Sequence, residues 1–180
     1  MSHPYYYFVA SLLSLEFNAK PFLSCEEFIS RCREQLAPAD FFVLNELLKN
    51  DVLAPSASRG ILKDWAHFNH NVRSEIAWFR AMETNQDPVN YLKGGRCDDL
   101  TVIDLVARVA EAADPLTGEK LIDRARWQYL DELMQGHYFD FEVLLGYGLK
   151  LKILERYQAI ESEKGKELFR EYTKVNIPLN

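Results

Sequence analysis

The chain has 180 residues, 48% of them hydrophobic and 27% charged, with a net charge of −6 and a pI of about 5.3. That balance excludes disordered and fibrous classes, and it allows one sizeable core. The acidic surface offers no positive field for nucleic acid or an anionic membrane.

Three cysteines without a CxxC spacing, Cys25, Cys32 and Cys97, indicate a reducing compartment and buried thiols rather than a disulfide framework or zinc site. The N-terminal MSHPYYYFVASLL lacks a basic leading region. Its apolar run is too short to span a bilayer, and the segment does not look like a secretory signal. A cytoplasmic protein without direct membrane insertion is expected.

Pro4 suits the first position of a helix, with Tyr5, Phe8, Val9 and Leu12 along one face. A short strand over residues 5–13 is the alternative, because tyrosine and valine also suit a sheet. Asn18 and Pro21 break the pattern into a loop.

Ser24 and Glu27 have the spacing of a capping box, and Leu23 and Phe28 stand where a hydrophobic staple would place them. A helix to about Leu36 is predicted. Ala37-Pro38 begins the next, through Phe41, Leu44, Leu47 and Leu48 to near Asn50. Two helices joined so tightly are antiparallel neighbours or meet at a sharp corner. The segment DVLAPSASRG reads as a loop.

From about Arg59 to Met82, Ile61, Trp65, Phe68, Val72, Ile76 and Phe79 recur at fours and threes, one stripe of a long amphipathic helix. TNQDP and the turn Gly94 to Arg96 separate it from a short helix capped by Asp98 or Asp99, with Val102, Val106 and Val109 inward. Asp114-Pro115 opens another helix, to Gln135, and Gly136 stops it.

The stretch GHYFDFEVLLGYGLKLKILERY, Gly136 to Tyr157, follows, with Asp140 as its natural N-cap. Its apolar residues leave no wide polar face, so this helix is expected to be buried on all sides and central. Gly146 and Gly148 each cost about 1 kcal/mol relative to alanine, a cost that close crossing by other helices explains. The charged turn from Lys150 to Arg156 marks where the helix is expected to emerge. A tail to about Thr173, either amphipathic or frayed, with Gly165 as a candidate bend, completes the reading. The expected architecture is all-α: one domain over residues 1–180, a bundle of six or seven helices around the helix starting near Asp140. A small N-terminal lobe at 1–55 is a variant of it.

Candidate chemistry is sparse. His67 and His70 form an HxxH spacing on the side away from the apolar stripe, without the third and fourth ligands a closed metal site needs. No metal or cofactor is expected. His137 lies near Asp131, Glu132, Asp140 and Glu142, so an acid–base cluster is conceivable there. A structural corner is the simpler account, with Gly136 ending one helix, Asp140 capping the next, and Tyr138 and Phe139 plugging the gap. Lys93 and Arg96 beside Gly94-Gly95 read as a solvated basic turn more readily than as a phosphate grip.

No phosphate loop, nucleophile elbow or Cys-His arrangement is present, so no enzyme is expected. Arg73 and Arg80, seven residues apart, share a flank of their helix. They either pair with Asp123 or Glu119 across a helix interface or hold an acidic partner. Lys150, Lys152 and Arg156 on separate sides of the late helix would form a rim that orients an acidic neighbour. Trp65, Trp78 and Trp127 are candidates for aromatic partner surface.

The segments YYYFVASLLSL, DPLTGEKLIDRARWQYLDEL and HYFDFEVLLGYGLKLKILERY resemble an uncharacterised bacterial family encoded among the genes of V-type (vacuolar/archaeal-type) rotary ATPases. The resemblance covers nearly the whole chain and lends a context without catalytic residues. The aromatic start and late buried helix are also similar in character to the C (or d) subunit of those ATPases, a helical socket between axle and membrane ring. This chain is roughly half as long, so one lobe or a reduced connector is what would fit. The resemblance implies a non-catalytic ATPase subunit or assembly factor, with central-stalk or ring subunits as partners. The alternative is a small helical enzyme or ligand-binding protein that uses the His137 corner.

Overall fold

A computed structural model describes residues 5–50, 60–90, 92 and 96–161. Lys93, the Gly94-Gly95 turn, most of the expected loop before Gly60, and the tail with Gly165 and Thr173 lie outside the described residues. Among the described residues there are seven α-helices and no strand. They are α1 (Tyr6–Ser11), α2 (Cys25–Gln35), α3 (Pro38–Asn50), α4 (Ile61–Glu83), α5 (Leu100–Ala110), α6 (Pro115–Leu133) and α7 (Phe141–Glu161). A 3-10 turn at Pro88–Asn90 precedes α5. The fold is all-α, as expected, and none of these helices is long and apolar enough to cross a membrane.

Local chemistry sets the helix ends. At α2 the Glu27 N–H donates to Ser24 Oγ at 3.1 Å, while the Ser24 N–H donates to Glu27 Oε2 at 2.8 Å. The staple residues Leu23 and Phe28 are both buried beside that box. Asp99 caps α5 through the Thr101 N–H, and Asp114 caps α6 through the Thr117 N–H, both at 2.9 Å. These bonds satisfy donors that a helix start would otherwise leave open. Gly136 follows α6 with φ of +85°, a left-handed conformation that suits a residue without Cβ. Residues 6–11 take the helical alternative over the strand.

The chain forms two compact units, one of residues to Lys49 with those from Phe139, the other from Asn50 to Tyr138. In the first, α7 is the central element. Leu144, Leu151 and Leu154 are wholly enclosed, and burial continues through Tyr157. The helix therefore does not emerge at Lys150, which is itself buried; a lysine stem packs like an aliphatic chain. The α2 and α3 helices meet α7 at Gly148, where an added Cβ would stand 2.9 Å from Leu48 Cδ1 and 3.1 Å from Phe28 Cε1. That close approach is what the glycine's helix cost allows. The segment after α1 is tied to the same helix by the Tyr147 hydroxyl, which donates to the Leu13 carbonyl at 3.0 Å, and by Phe17 against Tyr157. The second unit has a core of its own, Phe68, Val72, Val102, Leu105 and Ile122 from α4, α5 and α6.

Candidate functional site

Two buried carboxylates in the second unit have clear structural partners. Glu75, 3% exposed on α4, takes the Arg96 guanidinium at 2.8 Å, and the Arg96 Nε–H adds contacts at 3.2 and 3.3 Å. The guanidinium carbon also lies 3.8 Å from the centre of the Trp78 ring. Hydrogen bonding to Glu75 raises the Arg96 pKa further above its ordinary value. Arg96 is exposed, as expected of it, but it is more than a solvated turn residue: its fork and planar face clamp the start of α5 to α4. Asp123 on α6, also buried, pairs with Arg126 at 3.1 Å, and Arg126 Nε–H reaches Asn69 Oδ1 at 3.0 Å. A partner one turn away on the same helix has taken the carboxylate expected to pair with Arg73 or Arg80.

Those two arginines stand exposed on α4. Among the described residues neither makes an ion pair or a side-chain hydrogen bond. Beside Arg80 a crevice of about 260 Å³ opens between α4, α5 and α6, walled by Ile76, Phe79, Val106, Val109, Pro115 and Ile122. Arg80 and Glu119 are the charged residues of its lining.

The histidines hold local positions. His67 Nε2 lies 3.2 Å from Asn71 Nδ2, and His70 Nε2 lies 3.5 Å from Ser74 Oγ, each one turn along α4. The His137 N–H donates to the Met134 carbonyl at 3.0 Å in the turn that ends α6. Asp140 accepts the Val143 N–H at 3.4 Å as the start of α7. Tyr138 and Phe139 are exposed, so they do not plug that corner as expected; Phe139 instead lies against Tyr6 at 5.0 Å between ring centres.

All three cysteines are free. Burial, with a hydrogen bond to Glu155, holds the Cys25 pKa well above the ordinary thiol value; burial alone pushes Cys32 up to about 12. Cys97 is raised as well, again chiefly by burial. Thiols kept protonated this way are poor nucleophiles and poor metal ligands.

The late-helix cations do not form a rim of three. Lys150 is buried, Lys152 half-buried and Arg156 exposed. The tryptophans are not the open aromatic surface either: Trp127 is buried, Trp65 packs on Phe68, and Trp78 lies under Arg96. The first unit instead exposes Tyr6, Tyr7, Leu13, Phe22, Phe42 and Phe139, with Tyr7 at 93% and Phe22 at 74%. Leu13 and Phe22 line one hollow of about 310 Å³, with Leu154 of α7 and the charged Glu16 and Lys20. Sequence reasoning passed over Leu13 and Phe22 because they fall in a loop with no periodicity. Their size and apolarity beside Pro21 were the available signal.

Residues 95–175 match the sequence profile of DUF2764, described as a protein of unknown function. The match takes in α5, α6 and α7 and contains two of the three segments on which the sequence resemblance rests. No curated protein and no solved structure matches the chain. Over that part, the chain is similar to an uncharacterised family.

Proposed function

We propose that the protein is a non-catalytic subunit or assembly factor of a V-type ATPase, a helical connector that docks on central-stalk or ring subunits. In this reading it is cytoplasmic and peripheral to the membrane through that complex. The observation that carries it is the set of large apolar side chains the first unit leaves in water. Tyr6 and Phe139 lie tilted against each other there, and Leu13 and Phe22 flank one hollow. Exposed apolar patches of this kind mark surfaces for partners, whereas an enzyme would gather convergent polar groups in a closed pocket. The resemblance supplies the ATPase context.

The test is reconstitution with the purified axle and ring subunits, followed by size-exclusion and by coupling of ATP hydrolysis to ion movement. Co-elution with the axle or ring, and weaker coupling or assembly on deletion, support the proposal. A protein that binds none of the subunits, and whose deletion leaves assembly and coupling intact, is not this connector.

A further inference from the structure

The geometry points to the crevice between α4, α5 and α6 as a docking site for an acidic amphipathic helix of a protein partner. Arg73 and Arg80 would meet its carboxylates while the crevice takes the apolar side chain between them. The inference rests on the docking reading above only in requiring that a protein partner exists.

Three observations carry it. Arg73 and Arg80 are seven residues apart, two helical turns or about 10.5 Å, so they stand in line on one flank of α4. A partner helix with carboxylates two turns apart has the same repeat. Three of the other arginines of this unit are already matched: Arg96 by Glu75, Arg108 by Asp104 and Arg126 by Asp123. Arg73 and Arg80, without an ion pair among the described residues, therefore place two positive charges in line on a chain of net charge −6. The apolar crevice lies directly at Arg80, with Ile76 and Phe79 between the two arginines in sequence. Glu119, the acid in the lining, already takes part in an interaction within the protein.

Arginine suits this role because its planar fork grips a carboxylate through two parallel bonds and needs little desolvation. An apolar anchor in a pocket flanked by charges also separates affinity from orientation, since the anchor supplies burial and the charges fix register.

The experiment measures fluorescence anisotropy with a labelled helical peptide bearing two glutamates seven positions apart and leucine and phenylalanine between them. A second peptide carries lysines at the same two positions. The wild-type protein should bind the glutamate peptide in preference, with affinity that falls as salt rises. Arg73→Glu with Arg80→Glu should weaken that binding about tenfold and turn the preference toward the lysine peptide. Ala110→Trp, at an exposed position in the crevice lining, should block the apolar anchor and weaken both peptides.

Equal affinity of the wild type for the two peptides would overturn the proposal, and so would binding indifferent to salt. Binding that survives both the charge reversal and Ala110→Trp would overturn it too, as would capture of free decanoate without capture of the peptide. The salt titration needs no variant, so a poorly folded variant does not leave the question open. The peptides contain no ATPase subunit, so failure of the reconstitution above sinks the ATPase assignment and leaves this result readable.

Discussion

Gly148 on α7 lies so close to Leu48 on α3 that a Cβ added to it would stand 2.9 Å from Leu48 Cδ1. Phe28 Cε1 is nearly as near, at 3.1 Å, and both neighbours are buried and cannot swing outward. Two effects oppose each other at this site. Alanine would gain about 1 kcal/mol of helix propensity, but a Leu48 methyl would have to move by a few tenths of an ångström. Gly148→Ala should therefore come out near neutral. Leucine brings the same clash and three further carbons with no space to fill, so Gly148→Leu should cost about 3 kcal/mol. Urea denaturation reads both; an unchanged midpoint for Gly148→Leu would mean that the helices do not cross tightly there.

The Glu75–Arg96 pair makes a second prediction. Arg96→Ala leaves the Glu75 carboxylate enclosed without its counter-charge and uncovers the Trp78 face. Loss of one partner of a buried pair costs several kcal/mol, but Arg96 is 44% exposed and shares its charge with water. The expected cost is about 2 kcal/mol. Lysine keeps the charge without the fork or the stacking plane, so Arg96→Lys should recover less than half of the loss. Glu75→Leu combined with Arg96→Ala should be less damaging than Arg96→Ala alone, because no buried charge then remains unmatched. Additive losses in that cycle would count against the pair.

Alkaline pH probes the first unit through Tyr5. Its hydroxyl donates to Asp40 Oδ2 at 2.5 Å and accepts the Ala37 N–H at 3.3 Å. Burial first, and then the bond to Asp40, push its pKa from 10.0 up to about 12. The folded protein thus holds this proton more tightly than the unfolded chain does. The stability gained is complete below pH 10 and is lost as pH rises from 10 to about 12. Burial raises Tyr129 and Tyr147 in the same direction, so they add to the slope. Urea midpoints measured through that window should fall for the wild type and fall less steeply for Tyr5→Phe. Parallel slopes would show that Tyr5 ionises as readily folded as unfolded.

Helix ends and the central position of α7 in its unit were legible in the sequence for a physical reason. Ser24 with Glu27, Asp99 with Thr101, and Asp114 with Thr117 interact within three residues, so spacing alone reveals them. A helix apolar on every side has no solvent face to offer, and α7 is enclosed accordingly. Pairings across the chain were not legible: Arg96 reaches back 21 residues to Glu75, Tyr5 forward 35 to Asp40, and Arg126 back 57 to Asn69. Asp123 is the exception: Arg126, three residues on along the same helix, is a local partner that its spacing offered ahead of Arg73 or Arg80 on another helix. Lys150 misled for another reason. A charged head suggests exposure, while its four-carbon stem is compatible with the burial it has on α7. The flank shared by Arg73 and Arg80 was visible from their spacing; that neither finds an ion pair among the described residues depended on packing elsewhere.

The last prediction separates the surface offered to a partner from the surface that holds the fold, using two phenylalanines six residues apart. Phe22 is 74% exposed, whereas Phe28 is fully enclosed, stacked on Phe8 and tilted against Tyr147. Phe28→Ala removes a ring from a filled core and should cost about 4 kcal/mol. Phe22→Ser with Tyr7→Ser removes side chains that already meet water, and stability should stay within about 0.5 kcal/mol of wild type. The same double variant should bind less hydrophobic dye and should lose affinity for the axle or ring subunits, because burial of those two rings is what a partner would gain. Stability and dye binding can be read without any partner, so the surface assignment stands or falls separately from the ATPase reading. A double variant that is strongly destabilised would mean that Phe22 or Tyr7 belongs to the core. One that keeps full stability and full subunit binding would move the docking surface away from α1 and the loop that follows it.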